Sequence, residues 1–209
     1  FGLTIRPEKS AAGYLQEHFN IPAYKMSLPI GVRQTDALMD VLMQITGQSL
    51  PAWLESERGR LLDAYVDGHK HCMGQRAVVY GEEDLAVGLA ALLSEIGITP
   101  VLIASGGESG RLEKAVRTVV PNLAADTVIR EGADFVEISE ISGDLHPDLV
   151  IGSSKGYPLA RDLHIPLVRA GFPIHDRLGG QRLLHLGYRG ATALLDRITD
   201  AILTRKQEA

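Results

Sequence analysis

Short apolar runs alternate with amphipathic segments from residue 75 to the end of the chain, and glycine-containing turns separate them. The apolar runs predict strands, and apolar residues spaced three and four positions apart predict helices. The predicted strands are 77–80, 100–104, 127–129, 149–151 and 167–169, and the predicted helices are 82–96, 112–119, 134–141, 157–163 and 191–203. Strands joined by helices of this length pair in parallel, so the pattern predicts an α/β fold with a doubly wound, Rossmann-like or flavodoxin-like sheet.

The first third of the chain has a mainly helical pattern instead. Helices are predicted over 7–19, 36–45 and 51–72, with a short strand over 23–28. We expect Thr35 to cap the middle helix and Gly47 to end it in the left-handed conformation. The predicted inner face of the first helix consists of Ala12, Tyr14, Leu15 and Phe19.

The change of pattern near Gly74 predicts two parts. Residues 1–74 are interpreted as a remnant of a preceding α/β domain plus a helical connection, and residues 75–209 as a C-terminal Rossmann-like domain. The chain begins at Phe1, without a methionine, in a strand-like stretch, which suggests a piece of a longer protein or a processed one. Because the mean hydropathy of +0.04 is slightly apolar, we also expect apolar surface that partners cover.

Composition excludes several classes of protein. The net charge of −5 provides no basic face for nucleic acid or an anionic membrane. The apolar runs are too short to span a bilayer, and no signal peptide opens the chain. The single cysteine, Cys72, excludes a disulfide framework and any self-contained zinc or iron–sulfur site built on thiolates. We therefore expect a cytoplasmic protein.

The loops after the predicted strands are candidate ligand sites, because doubly wound sheets bind ligands beyond the carboxyl ends of their strands. The Ser105–Gly110 loop can either cradle a phosphate with backbone N–H groups or simply form a tight turn. It matches neither GxGxxG nor a P-loop. The Gly152–Gly156 loop with Lys155 can either hold a ligand or cap a helix. Glu82, Glu83 and Asp84 are accounted for by a helix N-terminus, which favours carboxylates.

Asp63 and Asp67 form a candidate metal site. Their spacing of four places both carboxylates on one face of the predicted helix, where like charges repel. Arg60, three residues before Asp63, can relieve that repulsion. Alternatively, the two carboxylates are half of a site for a hard cation, with oxygen ligands completed by another segment or chain.

Four segments, in this order, resemble the C-terminal part of a β-type subunit of nitrogenase component 1. They are ERGRLLDAYVDGH at Glu57–His69, VVYGEEDLAVGL at Val78–Leu89, DLVIGSSKG at Asp148–Gly156, and GFPIHDR followed by LGYRG within Gly171–Gly190. The resemblance covers essentially the whole chain. GFPIHDR followed by GYRG, behind a strand, is its most specific part.

Within this family the resemblance favours the cofactor-assembly scaffold subunit NifN or a related paralogue. Leu178–Leu184 reads LGGQRLL, whereas the catalytic β subunits that the chain resembles have a histidine-rich turn at that place. The resemblance implies a scaffold role in iron–molybdenum cofactor biosynthesis for nitrogen fixation. The alternative is the β subunit of a catalytic nitrogenase or nitrogenase-like reductase. A weaker alternative is a stand-alone small-ligand-binding α/β domain.

The resemblance also implies partners and cofactors. Such subunits have three α/β domains, pair with an α-type subunit in an α2β2 assembly and work with an ATP-dependent iron protein. The shared iron–sulfur cluster is held by cysteines of the N-terminal domain, none of which Cys72 matches. The iron–molybdenum-type cofactor belongs to the α-type partner, whose ligating histidine falls near Gly171 and Phe172. We therefore expect no cofactor in this chain and no catalysis by it alone.

The same resemblance gives the aspartate pair a role. Asp63 and Asp67 match two carboxylates that bind a divalent ion between the two β chains of catalytic nitrogenases. The remaining ligands belong to the N-terminal part of the subunit, so the ion site is expected only in the assembled complex.

Overall fold

A five-stranded parallel sheet forms the centre of the computed structural model, which describes residues 2–3 and 10–208. The strands, in chain order, are β1 (Gly2–Leu3), β2 (Lys25–Met26), β3 (Arg76–Tyr80), β4 (Thr99–Ala104), β5 (Val128–Arg130), β6 (Leu149–Gly152) and β7 (Leu167–Arg169). The helices are α1 (Ala11–Phe19), α2 (Gly31–Thr46), α3 (Ala52–Cys72), α4 (Glu83–Glu95), α5 (Leu112–Val119), α6 (Phe135–Leu145), α7 (Tyr157–Asp162) and α8 (Gly187–Glu208).

The order of the strands creates a switch point in the middle of this sheet. The order is β5-β4-β3-β6-β7, with every neighbouring pair parallel. Successive strands are added outward on one side as far as β5, and the chain then returns to place β6 on the other side of β3. In sheets of this kind the crevice at the switch point is where ligands bind.

Side chains alternate between two buried faces along each central strand, as a sheet covered on both sides requires. On β3, Ala77 and Val79 point into one apolar cluster, and Val78 and Tyr80 point into the other. Helices α4, α5 and α8 cover the first face, and α6 and α7 cover the second. The predicted doubly wound α/β fold is confirmed.

Of the helices before the sheet, α2 packs on α4 and α8, and α3 packs on α8. Ile30 lies against α4 so closely that a Cβ at Gly88 would be 2.9 Å from its Cδ1 atom. A Cβ at Gly68 of α3 would lie 3.4 Å from the Cδ1 atom of Leu195 of α8. A further apolar cluster joins α2, α3 and α8, and it contains Val32, Leu61, Tyr188 and Ala191. Residues 28–72 are thus anchored on the face of the sheet that α4 and α8 cover.

Thr35 does not cap α2, so that part of the sequence prediction is wrong. The helix begins four residues earlier, at Gly31, and the Thr35 hydroxyl donates to the Gly31 carbonyl at 2.6 Å. The N-terminus of α2 is instead capped by Glu95, whose carboxylate accepts from the backbone N–H groups of Val32 (2.8 Å) and Arg33 (3.1 Å). A carboxylate at a helix N-terminus satisfies free donors and complements the helix dipole.

Two further predictions differ from the structure. The first helix was predicted to bury one apolar face, but Tyr14, Leu15 and Phe19 of that face are exposed, and α1 buries none of its residues. Residues 7–9 of that predicted helix lie outside the described residues. The predicted strand 23–28 contracts to the two residues of β2, which pair with β1. Within the described part of the chain, none of the helices has the length and apolar content needed to cross a membrane.

Candidate functional site

The crevice at the switch point is filled by the side chain of Tyr80. This residue ends β3, and only 3% of its surface is exposed. A Cβ added at Gly152 or Gly156, on the far side of the crevice, would overlap the Tyr80 ring. The hydroxyl donates to the Ser153 carbonyl and accepts from the Gly156 N–H at 2.8 Å. The place where a doubly wound sheet binds its ligand is therefore occupied by the chain itself.

Two carboxylates of the same chain accept from backbone N–H groups at the end of the Ser105–Gly110 loop and at the start of α5. Glu83 accepts from the Ser109 N–H at 2.9 Å, and Glu131 accepts from the N–H groups of Gly110 (2.5 Å) and Leu112 (2.6 Å). Since these are the groups that a bound phosphate would need, the loop has the geometry of a tight turn closed by internal anions.

The position of Glu83 corrects the sequence interpretation of that residue. Glu83 does not serve as an exposed carboxylate at the start of α4, since it is 93% buried, with 7% exposed. It reaches across to the neighbouring loop, where a Cβ at Gly107 would lie 2.9 Å from its Cδ atom. The sequence does not predict the hydrogen bond between Glu83 and Ser109, because these two residues are 26 positions apart.

The GFPIHDR segment is tied to the turn that follows β6. The Ser154 hydroxyl donates to Asp176 at 2.5 Å and accepts from the His175 N–H at 3.1 Å. Arg169, at the end of β7, forms a bidentate ion pair with Asp176, and the shortest distance, from Nη2 to Oδ2, is 2.6 Å. The hydrogen bonds from Arg169 and Ser154 hold the pKa of Asp176 well below its usual range. Asp176 is therefore an anionic anchor for the loop.

The same loop presents apolar side chains at the surface. The most exposed are Phe172, Leu178, Leu184 and Leu186. Arg177 and Arg182 are exposed beside them. An anchored loop with apolar and cationic side chains outward is typical of an interaction surface.

Asp63 and Asp67 lie on one face of α3, as the spacing predicts, and that face is outward. Both residues are exposed, together with Leu62 and Val66 of the same helix, the latter with 77% of its surface accessible. Among the described residues, neither carboxylate has an ion-pair partner, and no group of three or more metal-ligating side chains is assembled. Two oxygen ligands from one helix face can contribute to a hard-cation site but do not complete one.

Arg60 does not neutralise Asp63. Its guanidinium pairs with Glu57 at 2.7 Å, and Arg189 of the LGYRG segment approaches the same carboxylate at 3.5 Å. The interpretation of the aspartate pair as a charge balanced by Arg60 is therefore wrong.

The residues of this chain do not fit an iron–sulfur cluster or a molybdenum cofactor. The thiol of Cys72 is fully buried and contacts the Thr199 hydroxyl at 3.7 Å, and burial raises its pKa. A cluster needs accessible thiolates, usually several of them. Gly171 and Phe172, near which the resemblance places the partner's ligating histidine, have no ligating atom in their side chains.

Comparison with known proteins defines the family. A model of the nitrogenase component 1 type oxidoreductase family matches residues 3–203. The chain therefore belongs to this family, and its resemblance to that family is confirmed.

Curated relatives with three different metals in their names match almost equally well. The nitrogenase iron-iron protein beta chain of Rhodobacter capsulatus is 37% identical over 92% of this chain and 42% of the relative. The nitrogenase molybdenum-iron protein beta chain of Methanothermobacter marburgensis is 36% identical over 95% of this chain and 43% of the relative. The nitrogenase vanadium-iron protein beta chain of Trichormus variabilis is 36% identical over 92% of this chain and 43% of the relative. This chain thus spans less than half the length of these relatives.

A solved structure agrees with the sequence comparison. A chain of nitrogenase Cp1 at pH 6.5 superimposes with a TM-score of 0.90 at 29% identity, over 94% of this chain and 43% of that one. A second chain, of nitrogenase Cp1 at pH 5, has 12% identity and a TM-score of 0.69, which shows the shared fold alone.

Proposed function

We propose that the chain is the C-terminal part of a β-type subunit of nitrogenase component 1, and that it supports metal chemistry performed elsewhere in the complex. The observation that carries the proposal is the similarity to beta chains, at 36–37% identity, over more than nine-tenths of this chain. Residues 1–74 are then the remnant of a preceding domain with its helical connection, and residues 75–209 the final Rossmann-like domain. The cytoplasm is the expected compartment.

The proposed partners are an α-type subunit, in an α2β2 assembly, and an ATP-dependent iron protein. Apolar side chains exposed on α1 support such an assembly, because large apolar surfaces are usually covered by partners. In this proposal an iron–sulfur cluster is held by the remainder of the subunit with its partner. The iron–molybdenum-type cofactor belongs to the α-type chain.

Two versions of the proposal have separate support. The assembly scaffold, which serves iron–molybdenum cofactor biosynthesis, is favoured by the LGGQRLL turn at 178–184, where a histidine-rich turn is expected in catalytic subunits. The β subunit of a catalytic nitrogenase or reductase is favoured by the names of the relatives. A stand-alone phosphate- or nucleotide-binding domain has the least support, because Tyr80, Glu83 and Glu131 occupy its two candidate sites.

Reconstitution of the full-length subunit with an α-type partner tests the proposal. Association in a 2:2 ratio, measured by sedimentation, is expected in both versions. Its absence would overturn the proposed pairing with an α-type subunit. Acetylene reduction in the presence of iron protein and ATP indicates the catalytic subunit. An inactive complex that transfers cofactor to a cofactor-free nitrogenase indicates the scaffold.

We further propose that Asp63 and Asp67 contribute two ligands to a divalent ion between β-type chains. Their exposure, their lack of ion pairs within the described structure and the exposed Val66 beside them support this. The test is calorimetric titration of the assembled complex with calcium, comparing wild type with Asp63→Asn. The control is Asp126→Asn, another exposed aspartate. Weaker binding is expected for Asp63→Asn alone, and equal affinity would contradict the site.

A further inference from the structure

The crevice between β3 and β6 has the features of a recognition site for a phenol. The side opposite β3 contains Gly152 and Gly156, and their lack of a Cβ leaves room for a flat ring against the backbone. Phe135 meets that ring edge-on, with centroids 5.1 Å apart at 81°. Aromatic rings favour such edge contacts over face-to-face stacking.

The crevice also recognises a hydroxyl group. The Ser153 carbonyl accepts from the Tyr80 hydroxyl, and the Gly156 N–H donates to it. Both backbone groups are buried with the ring, so an occupant without the hydroxyl leaves a donor and an acceptor unpaired. Burial raises the pKa of Tyr80 to about 12, so the hydroxyl retains its proton at physiological pH.

The turn that binds this hydroxyl continues into the loop at 171–186. The Ser154 N–H donates to the Pro173 carbonyl at 3.0 Å, and the Ser154 side chain holds Asp176 and the His175 N–H. Any change in how residues 153–156 are seated therefore reaches the loop that carries exposed Phe172.

We propose that this crevice is a phenol-binding site which the chain fills with its own Tyr80, and that its occupancy holds the loop at 171–186 in place. The ligand class is a single aromatic ring with one hydroxyl group that both donates and accepts. The inference does not depend on the proposed function, because it uses only contacts within this chain.

The first experiment empties the site and refills it. Tyr80→Ala removes the phenol group, and cavities left by large buried side chains bind small molecules of the missing shape. Phenol added to Tyr80→Ala is expected to raise its melting temperature saturably, and benzene to raise it less, because benzene pairs neither backbone group. Tyr157→Ala, which removes an exposed ring beside the same turn, is the control and is expected not to respond.

The second readout is the loop itself. Trypsin cleavage after the exposed Arg177 and Arg182, followed by mass spectrometry, is expected to be roughly tenfold faster in Tyr80→Ala and slowed again by phenol. Loop cleavage at the wild-type rate in folded Tyr80→Ala would overturn the inference. So would an equal response to phenol and benzene.

Tyr80→Phe keeps the test decisive if Tyr80→Ala does not fold. This variant retains the ring in the crevice and removes only the hydroxyl. Faster cleavage at Arg177 and Arg182, with no response to phenol because the ring still blocks the crevice, is the expected result. Unchanged cleavage in Tyr80→Phe would show that the hydroxyl does not hold the loop.

Discussion

The hydroxyl of Tyr188 donates a 2.7 Å hydrogen bond to the carboxylate of Asp36, although the two residues are 152 positions apart. Arg58 of α3 binds the same carboxylate through two nitrogens, at 2.8 to 3.0 Å. One carboxylate thus joins α2, α3 and the LGYRG segment at the start of α8. Burial alone would raise the pKa of Asp36, but the bonds from Arg58 and Tyr188 outweigh it and leave the pKa below its ordinary value.

Removing the Tyr188 hydroxyl is expected to loosen this junction. Tyr188→Phe should lower the free energy of unfolding by about 2 kcal/mol, because a hydrogen bond to a charged group is lost at a buried ring. Urea denaturation followed by circular dichroism measures the change. Tyr157→Phe, at a half-exposed ring, is the control and should change stability by less than about 0.5 kcal/mol. Equal effects of the two substitutions would show that the Asp36 contact contributes nothing specific.

The ion pair of Asp176 with Arg169 predicts a pH dependence. Since hydrogen bonds from Arg169 and Ser154 lower the pKa of Asp176 from the ordinary value of 3.8, the folded state favours the ionised carboxylate. The stabilisation is complete at a pH above the ordinary pKa of an aspartate, which applies to the unfolded chain. It is lost as the pH falls through the lower pKa that Asp176 has in the folded state. Asp176→Asn should therefore be less stable than wild type at pH 7, and the difference should shrink below about pH 4.

Urea denaturation at pH 7, 5 and 3.5 measures this difference. Asp162→Asn is the matched control, because its ion pair with Arg161 is exposed on both sides and should contribute little at any pH. A difference between wild type and Asp176→Asn that stays constant with pH would mean that the charge of Asp176 does not stabilise the loop.

The sheet could be predicted from sequence because its signals are local. An apolar run, a turn and an amphipathic segment repeat from Ala77 onward, and each predicted strand of the sheet was found within about two residues of its expected position. Helix α8 departs further from its prediction, because it begins at Gly187 instead of residue 191. Gly187 and Gly190 favoured a loop interpretation, and only tertiary packing shows why the helix tolerates Gly190: a Cβ there would lie 2.6 Å from the carbonyl carbon of His185.

The contacts that define the candidate site could not be predicted in the same way. Glu95 accepts from the N–H of Val32, 63 positions before it, and Glu83 accepts from the N–H of Ser109, 26 positions after it. Acidic residues near helix ends have an adequate local explanation, so nothing in the sequence distinguishes a solvated carboxylate from a buried acceptor. Tyr80 was missed for a similar reason, because a tyrosine that ends an apolar strand is ordinary in any sheet.

The buried carboxylate of Glu83 predicts both instability on removal and indifference to phosphate. Glu83→Ala should lower the free energy of unfolding by about 2 kcal/mol, because the Ser109 N–H loses its buried acceptor. Glu82→Ala, at the exposed neighbouring position, should have a much smaller effect. For wild type, the melting temperature should not change with millimolar phosphate or nucleotide, since Glu83 and Glu131 already occupy the N–H groups of Ser109 and Gly110. A saturable rise would restore the stand-alone ligand-binding interpretation.

Two glycines in different surroundings should respond oppositely to the same substitution. Gly152→Ala places a methyl group within the Tyr80 ring and should cost about 3 kcal/mol, because neither the strand nor the ring can move without breaking the Ser153 and Gly156 contacts. Gly59→Ala, in the interior of α3 with no atom within 4 Å of the added carbon, should instead stabilise the chain by about 0.5–1 kcal/mol. Thermal and urea denaturation of both variants measure the two shifts. If Gly152→Ala is tolerated as well as Gly59→Ala, Tyr80 cannot be packed against the β6 backbone as the structure places it.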